Sequence, residues 1–327
     1  MKFKLLPILA VCQLLFAQSG FGGKISKVEE HTFKLKPGAR VTVIGDDGQV
    51  LIKGWDKDEA YVKITKRVWE RDKRRAEEIM EELEVEIDHR ENRLFIREVD
   101  LGRHRRSDFW ELFDPDRWEH RAGYEIDYEL NVPNELDLRV ENDEGDVEIS
   151  NLSGRLRLKV DEGEIMLNTL SSVEVDVGLD EGELLCKNIR GNDSVLFLQV
   201  DEGTIRVVDC KFEEVDLKSD EGDFIINNLK VKRCELRTDE ADIEAELEFL
   251  AGGRCKIRTD EGDINLILPE NIDARFRLDA SDGRIRSDFP LSIKSRNRGE
   301  RVDESLGEGL VSIDIFTEDA DIILEKK

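Results

Sequence analysis

The stretch Leu156-Arg157-Leu158-Lys159-Val160-Asp161-Glu162-Gly163-Glu164-Ile165-Met166-Leu167 decides the fold. Apolar and charged residues alternate up to an acidic turn. Apolar residues return at every second place beyond it, at Ile165 and Leu167. Period-two patterning on both arms marks two half-buried strands joined by a tight turn. The unit repeats. Asp-Glu-Gly starts at Asp143, Asp161, Asp180, Asp201, Asp220 and Asp260, and Asp239-Glu240-Ala241 is the same element with alanine in third place. Ser281-Asp282-Gly283, Glu318-Asp319-Ala320 and Asp46-Asp47-Gly48 are looser copies. From Gly145 to Gly283 the step is always 18 to 21 residues.

Counting from the third residue of each element gives columns. Five places before it stand Val43, Val140, Leu158, Val177, Leu198, Leu217, Leu236, Ile257, Leu278 and Ile315. Seven places before it stand Val41, Leu138, Leu156, Val175, Leu196, Val215, Cys234, Cys255, Phe276 and Ile313. Two places after it stand Val50, Val147, Ile165, Leu184, Ile205, Phe224, Ile243, Ile264, Ile285 and Ile322. All are apolar. Stacked as rungs, such units pool their apolar columns into one core, which predicts an all-β solenoid. The alternative is an antiparallel β meander of hairpins. It would set like charges directly opposite each other and demand positive φ at Glu240-Ala241. The solenoid avoids both.

Two segments break the repeat. Glu70 to Leu83 reads as a helix, with Ala76, Ile79, Met80 and Leu83 at helical spacing. Val85, Ile87, Leu94 and Ile96 alternate about His89-Arg90-Glu91-Asn92, which predicts a hairpin. The expected organisation is a signal peptide over 1–19, N-terminal strands and a first rung over 20–69, an insertion of helix, hairpin and loop over 70–123, and the main solenoid over 124–327. The signal reading rests on Lys2 and Lys4, the apolar run from Leu5 to Phe16 broken only by Gln13, and the small residues Ala17 and Ser19. Lipidation at Cys12, after Leu9-Ala10-Val11, is the rival reading. No later run is apolar for the length a spanning helix needs, so no transmembrane helix is expected.

The formal net charge is −26. Such a surface repels nucleic acid and anionic lipid and attracts cations and basic partners.

Asp47-Gly48-Gln49-Val50-Leu51-Ile52-Lys53-Gly54-Trp55-Asp56, followed by Val62-Lys63-Ile64, resembles the opening of the bacterial putative-adhesin family, a large group of unknown function. Asn151-Leu152-Ser153-Gly154 and the recurring Gly-Asp-apolar steps are similar to its body, and Thr317 to Leu324 to its closing rung. The resemblance implies an exported β-solenoid with a role in adhesion or the envelope, and it supplies no catalytic residues. The chain departs from the family in using Asp-Glu-Gly where Asn-Gly is common, and in its loop from Leu101 to Arg121.

Three features are candidates for function. In a solenoid the acids Asp161, Glu162, Asp180, Glu181, Asp201, Glu202, Asp220, Glu221, Asp260 and Glu261 fall into columns spaced about 4.8 Å. Unit charges so spaced repel by about 1 kcal/mol per neighbour in water. Splayed side chains, salt, raised carboxylate pKa values or bound cations must relieve this. Calcium is the natural ion, because it takes six to eight oxygen ligands; the plain alternative is a solvated, solubilising edge. The loop carries Arg103, Arg105, Arg106, Phe109, Trp110, Phe113 and Trp118, residue types common at interface centres. It reads either as a partner site or as a cap over the open solenoid end. Cys186, Cys210, Cys234 and Cys255 all occupy apolar columns and read as small core residues, with one bridge between Cys234 and Cys255 conceivable.

Against catalysis, His31, His89, His104 and His120 lie outside the main array, and the acids recur too evenly for one acid–base pair to stand out. A polysaccharide-acting enzyme remains the alternative on analogy with other solenoids. The expected protein is therefore exported (periplasmic, cell-surface or secreted), without enzymatic activity or a required cofactor. It is structural or adhesive, with an envelope protein or glycan as partner.

Overall fold

The computed structural model describes residues 24–99, 123–191 and 193–327. The signal segment, Cys12 and the 101–121 loop lie outside the described residues.

The chain is a β-solenoid. Its rungs pair in parallel and in register. The column five before the turn runs Val43, Val140, Leu158, Val177, Leu198, Leu217, Leu236 and Ile257, each the Cα partner of the next. All are buried. The columns seven before and two after the turn stack likewise, from Val41 to Cys255 and from Val50 to Ile264. The antiparallel meander is thereby excluded for the array.

The acidic turn is a corner within a continuous strand. Ser153–Asn168 runs unbroken through Asp161-Glu162-Gly163. Inward side chains precede the glycine by odd numbers of residues (Leu156, Leu158, Val160) and follow it by even numbers (Ile165, Leu167), all buried. The alternation changes phase at the glycine. That extra residue lets both arms face one core, as a β-bulge does. A second corner closes each rung on the opposite edge. There Asn151, Thr169, Asn188, Asp209 and Asn228 all adopt left-handed φ of 54–58°, and the next residue, from Leu152 to Leu229, is buried. Asparagine and aspartate enter that region most readily of the residues with a Cβ.

At the N-terminal end, Arg93–Glu98 lies parallel on Ala39–Ile44, and Gly123–Pro133 lies parallel on Val50–Trp55. Together they make one more rung above the 39–55 rung. Antiparallel partners complete this end: Val85–Arg90 on one side, Glu59–Trp69 and then Lys24–Lys34 on the other. Helix α1 (Lys73–Glu82) begins at Asp72, whose carboxylate accepts from the Arg74 and Arg75 amides at 2.9 and 3.2 Å. It buries Ala76 and Met80. Helix and hairpin interrupt the repeat in sequence but not in space, since the 39–55 rung contacts Glu135–Ser150 directly.

At the other end, sequence order and spatial order part. The 254–268 rung pairs with Val311–Asp319 and Ile322–Lys326, and these in turn pair with Ala274–Ala280 and Ile285–Ser287. The last rung in sequence sits between two earlier ones. Glu300–Leu306 closes this end, antiparallel to Ala274–Ala280. No helix among the described residues is long and apolar enough to cross a membrane.

Candidate functional site

The corner glycines set the geometry of the acidic edge. Gly163 has φ +143°, and a Cβ built on it would stand 2.5 Å from the Gly145 carbonyl oxygen. Backbones approach this closely only because the side chain is a hydrogen. With the glycines stacked, the residue before each is forced outward in register. Glu144, Glu162, Glu181, Glu202 and Glu221 are successive Cα partners, and Glu240 pairs with Glu261. All seven are exposed. The aspartates Asp161, Asp180, Asp201, Asp220 and Asp260 flank them, Asp161 and Asp201 partly shielded. Lys159 pairs with Asp161 at 2.6 Å, and Arg206 reaches Glu183 at 3.7 Å. Among the described residues no three acids, histidines or cysteines converge in a way that would hold a metal ion. The columns bring acids near one another without closing a cage around one point.

A further acidic column, one residue after the turn, is relieved in a way that sequence reasoning missed. Its aspartates turn back onto the backbone of the adjoining rung. Asp146 accepts from the Glu164 amide at 3.0 Å, Asp223 from Asp242 at 3.1 Å, Asp242 from Asp263 at 2.8 Å, Asp263 from Asp321 at 2.9 Å and Asp321 from Arg284 at 2.8 Å. Each carboxylate satisfies an N–H of the next corner, a charge-assisted bond. The chain of bonds follows spatial order through the inserted last rung. These aspartates are structural. The outward glutamates are the ones left to meet solvent or a partner.

The outer face of the strand before the turn differs. There charges are matched between rungs: Arg155 with Glu174 at 3.0 Å, Arg233 with Glu214 at 2.8 Å, and Arg277 with Asp314. This zipper explains how so acidic a chain still stacks, and it concentrates the unmatched charge at the corner.

The edge ends at an acidic cluster of which Glu98 is the buried member. Glu98 lies beneath it, nearly covered, and accepts from the Asp46 amide at 3.3 Å. Burial, reinforced by Asp46 and Asp47, pushes its carboxyl up to about 7. Burial and then Glu144 raise Asp47, and burial and then Asp46 raise Asp143. The Tyr128 hydroxyl is buried there without a hydrogen-bond partner among the described residues, and burial raises its pKa. Lys66 is buried nearby, donates to the Leu83 carbonyl at 2.8 Å and pairs with Glu29 at 3.2 Å. Beneath α1 a cleft of about 790 Å³ has Ile25, Met80, Leu83 and Val85 on its walls and Glu77 and Glu81 at its rim. Nothing in the repeat pattern marked Glu98 or Tyr128, because neither belongs to an Asp-Glu-Gly unit.

Of the loop candidates, Arg103, Arg105, Arg106, Phe109, Trp110, Phe113 and Trp118 lie outside the described residues. What the structure fixes is the loop's two ends. The chain leaves after Glu98 and returns at Gly123, above the corner formed by Asp46-Asp47-Gly48. The four cysteines Cys186, Cys210, Cys234 and Cys255 are buried and free, and Cys234 and Cys255 are Cα partners on adjacent rungs.

The Toastrack DUF4097 family matches residues 174–325, in keeping with the putative-adhesin resemblance. No curated protein matches the chain. Among solved structures, a putative adhesin from Parabacteroides distasonis is 11% identical, covering 91% of this chain and 97% of that one with a TM-score of 0.48. A putative adhesin from Parabacteroides merdae is 12% identical, covering 92% and 96% with a TM-score of 0.39. A putative lipid binding protein from Parabacteroides distasonis is 12% identical, covering 90% and 96% with a TM-score of 0.42.

Proposed function

We propose that this β-solenoid is an exported, non-enzymatic cell-envelope protein, structural or adhesive, that holds a cationic and repetitive partner along its acidic edge. The observation that carries this reading is the in-register glutamate column from Glu144 to Glu221. A rigid row of equivalent charges suits a partner that repeats, because many weak contacts then act together and avidity gains of about 10²–10⁴ over one contact follow. Each rung offers the same acids, so no pair is set apart as general acid and base. The signal-like N-terminus supports export, and the partner class is an envelope protein or a glycan bearing positive charge. The basic, aromatic loop over 101–121 is a second contact in this proposal, on the strength of its arginines and aromatic residues.

The test is capture of envelope proteins and glycans by three proteins: wild type, a chain lacking residues 101–121, and Glu162, Glu181, Glu202 and Glu221 all changed to Gln. Capture should fall at least tenfold in the Gln variant and weaken with added salt. Equal capture by wild type and the Gln variant sinks the edge as the binding surface, and unchanged capture without 101–121 removes the loop.

A further inference from the structure

The step from Gly262 to Gly283 is 21 residues, within the range of the regular array. By that rule the 274–287 rung should stack straight on the 254–268 rung. Instead the 311–326 segment lies between them. Ile313 pairs with Cys255 on one side and Phe276 on the other, Ile315 with Ile257 and Leu278, and Ile322 with Ile264 and Ile285. Every one of these flanking side chains is apolar and buried. If the segment were withdrawn, Ile257 would meet Leu278 and Ile264 would meet Ile285, columns of the same kind. The two rungs therefore have two self-consistent arrangements, one with the slot filled and one with it closed. Such a pair of packings is what a strand-insertion switch requires.

The segment is tied to its slot by one hinge. Ala274 pairs with Leu306 on one edge and Val311 on the other, so residues 307–310 pass over the end of the Ala274–Ala280 strand. Gly307 and Gly309 take left-handed φ of 71° and 73° there. The Asp273 carboxylate accepts from the Gly309 amide at 2.6 Å and the Leu310 amide at 3.0 Å, and its carbonyl accepts from Val311 at 3.1 Å. Asp273 pins the hinge, and the hinge keeps the segment home.

We infer that the slot between the 254–268 and 274–287 rungs is a strand-acceptor site, and that the 311–326 segment of a second copy of this chain fills it in trans to give a strand-exchanged dimer. The partner is set by chemistry already in the slot. It needs isoleucines at three inward positions and an aspartate that accepts from the Arg284 amide while its own amide reaches Asp263, as Asp321 does. A second copy supplies all of these identically, so exchange changes only the hinge and the concentration dependence.

The test deletes Gly307–Gly309. Leu306 and Val311 stand two strand spacings apart, roughly 9.6 Å. With Leu310 alone between them the chain spans at most about 7.6 Å. The variant is then unable to fill its own slot. Light scattering after size exclusion should give a dimer, with residues 311–327 protected from protease. A folded monomer whose 311–327 segment is cut at once would mean the slot closes on itself and would overturn the proposal. Should the deletion variant fail to fold, a fluorescein-labelled peptide of residues 311–327 is incubated with the intact wild type and with Asp273→Ala. Uptake by both, at least tenfold faster in Asp273→Ala, supports the acceptor site, and no uptake by either overturns it.

Discussion

Replacing Gly163 by alanine tests the stacked corner most directly. The new methyl would lie 2.5 Å from the Gly145 carbonyl oxygen and 2.8 Å from its carbon, in a backbone at φ +143°. That region is almost closed to residues with a Cβ and costs about 1–3 kcal/mol. Relieving the clash means parting two rungs that are hydrogen-bonded on both arms, another 1–3 kcal/mol or so on the scale of overpacking. Gly163→Ala should therefore destabilise by about 2–6 kcal/mol, a large share of a typical domain's stability. Gly178 is the internal control. It lies mid-strand, with no left-handed φ and nothing within 4 Å of a built Cβ. Gly178→Ala should be neutral or stabilise by about 0.4–1 kcal/mol through the unfolded chain. Urea titration followed by far-ultraviolet circular dichroism reads both. Amide exchange at residues 143–164 shows whether the loss is local, which matters because repeat arrays can open in parts. If Gly163→Ala lies within 0.5 kcal/mol of wild type, or Gly178→Ala costs as much as Gly163→Ala, the close-stacked glycine column is wrong.

Three further outcomes are expected. Glu98 keeps its proton to about pH 7 in the folded protein but loses it near the ordinary carboxylate value when unfolded. Its burial thus imposes no penalty in acid, and stability falls as pH rises from roughly 4.5 to 7. Glu98→Gln should melt like wild type below pH 5 and be more stable by about 2–3 kcal/mol at pH 8; a difference independent of pH refutes this. Asp263→Ala should cost about 1 kcal/mol and speed amide exchange at Asp321, while Asp263→Asn, which keeps an acceptor, should do neither. Equal effects of the two would show that the ladder bond contributes nothing. In the reduced protein, a thiol reagent at pH 8 should leave Cys186, Cys210, Cys234 and Cys255 unlabelled until denaturant is added, because all four are buried and burial raises the Cys210 thiol to about 11. Rapid native labelling of Cys234 or Cys255 would contradict their place in the core column.

What the sequence made legible was whatever repeats. The inward columns, the glutamate row and the core position of the cysteines all follow from one register, so aligning on Gly145, Gly163 and their equivalents places them together. The substitution of alanine at 241 is instructive. A hairpin turn would have penalised it, and in the solenoid it sits where φ is not left-handed. The aspartate ladder was hidden because its bonds run between rungs, from Asp242 to the Asp263 amide. Only a three-dimensional stack shows that the amide is waiting there. The inserted last rung was hidden for the opposite reason. The regular step to Gly283 pointed to direct stacking on the 254–268 rung, and Ile313, Ile315 and Ile322 have the same apolar character as Phe276, Leu278 and Ile285. Period-two patterning says which side chains face inward. It is silent on the order in which interchangeable rungs are shelved. Glu98 and Tyr128 stood outside any pattern, since their burial depends on the non-repeating strands around them.

The parallel ladder has a direction, and a stack of identical rungs would by itself keep recruiting chains end to end into a filament. This molecule blocks that growth at both termini of the stack by reversing strand direction. Glu59–Trp69 and Val85–Arg90 do so at one end, and Glu300–Leu306 at the other. Among the described residues an incoming parallel rung meets a reversed strand at Val85–Arg90 and at Glu300–Leu306. Within one copy the number of rungs, and with it the number of carboxylates that a bound molecule can span, is then set by the gene.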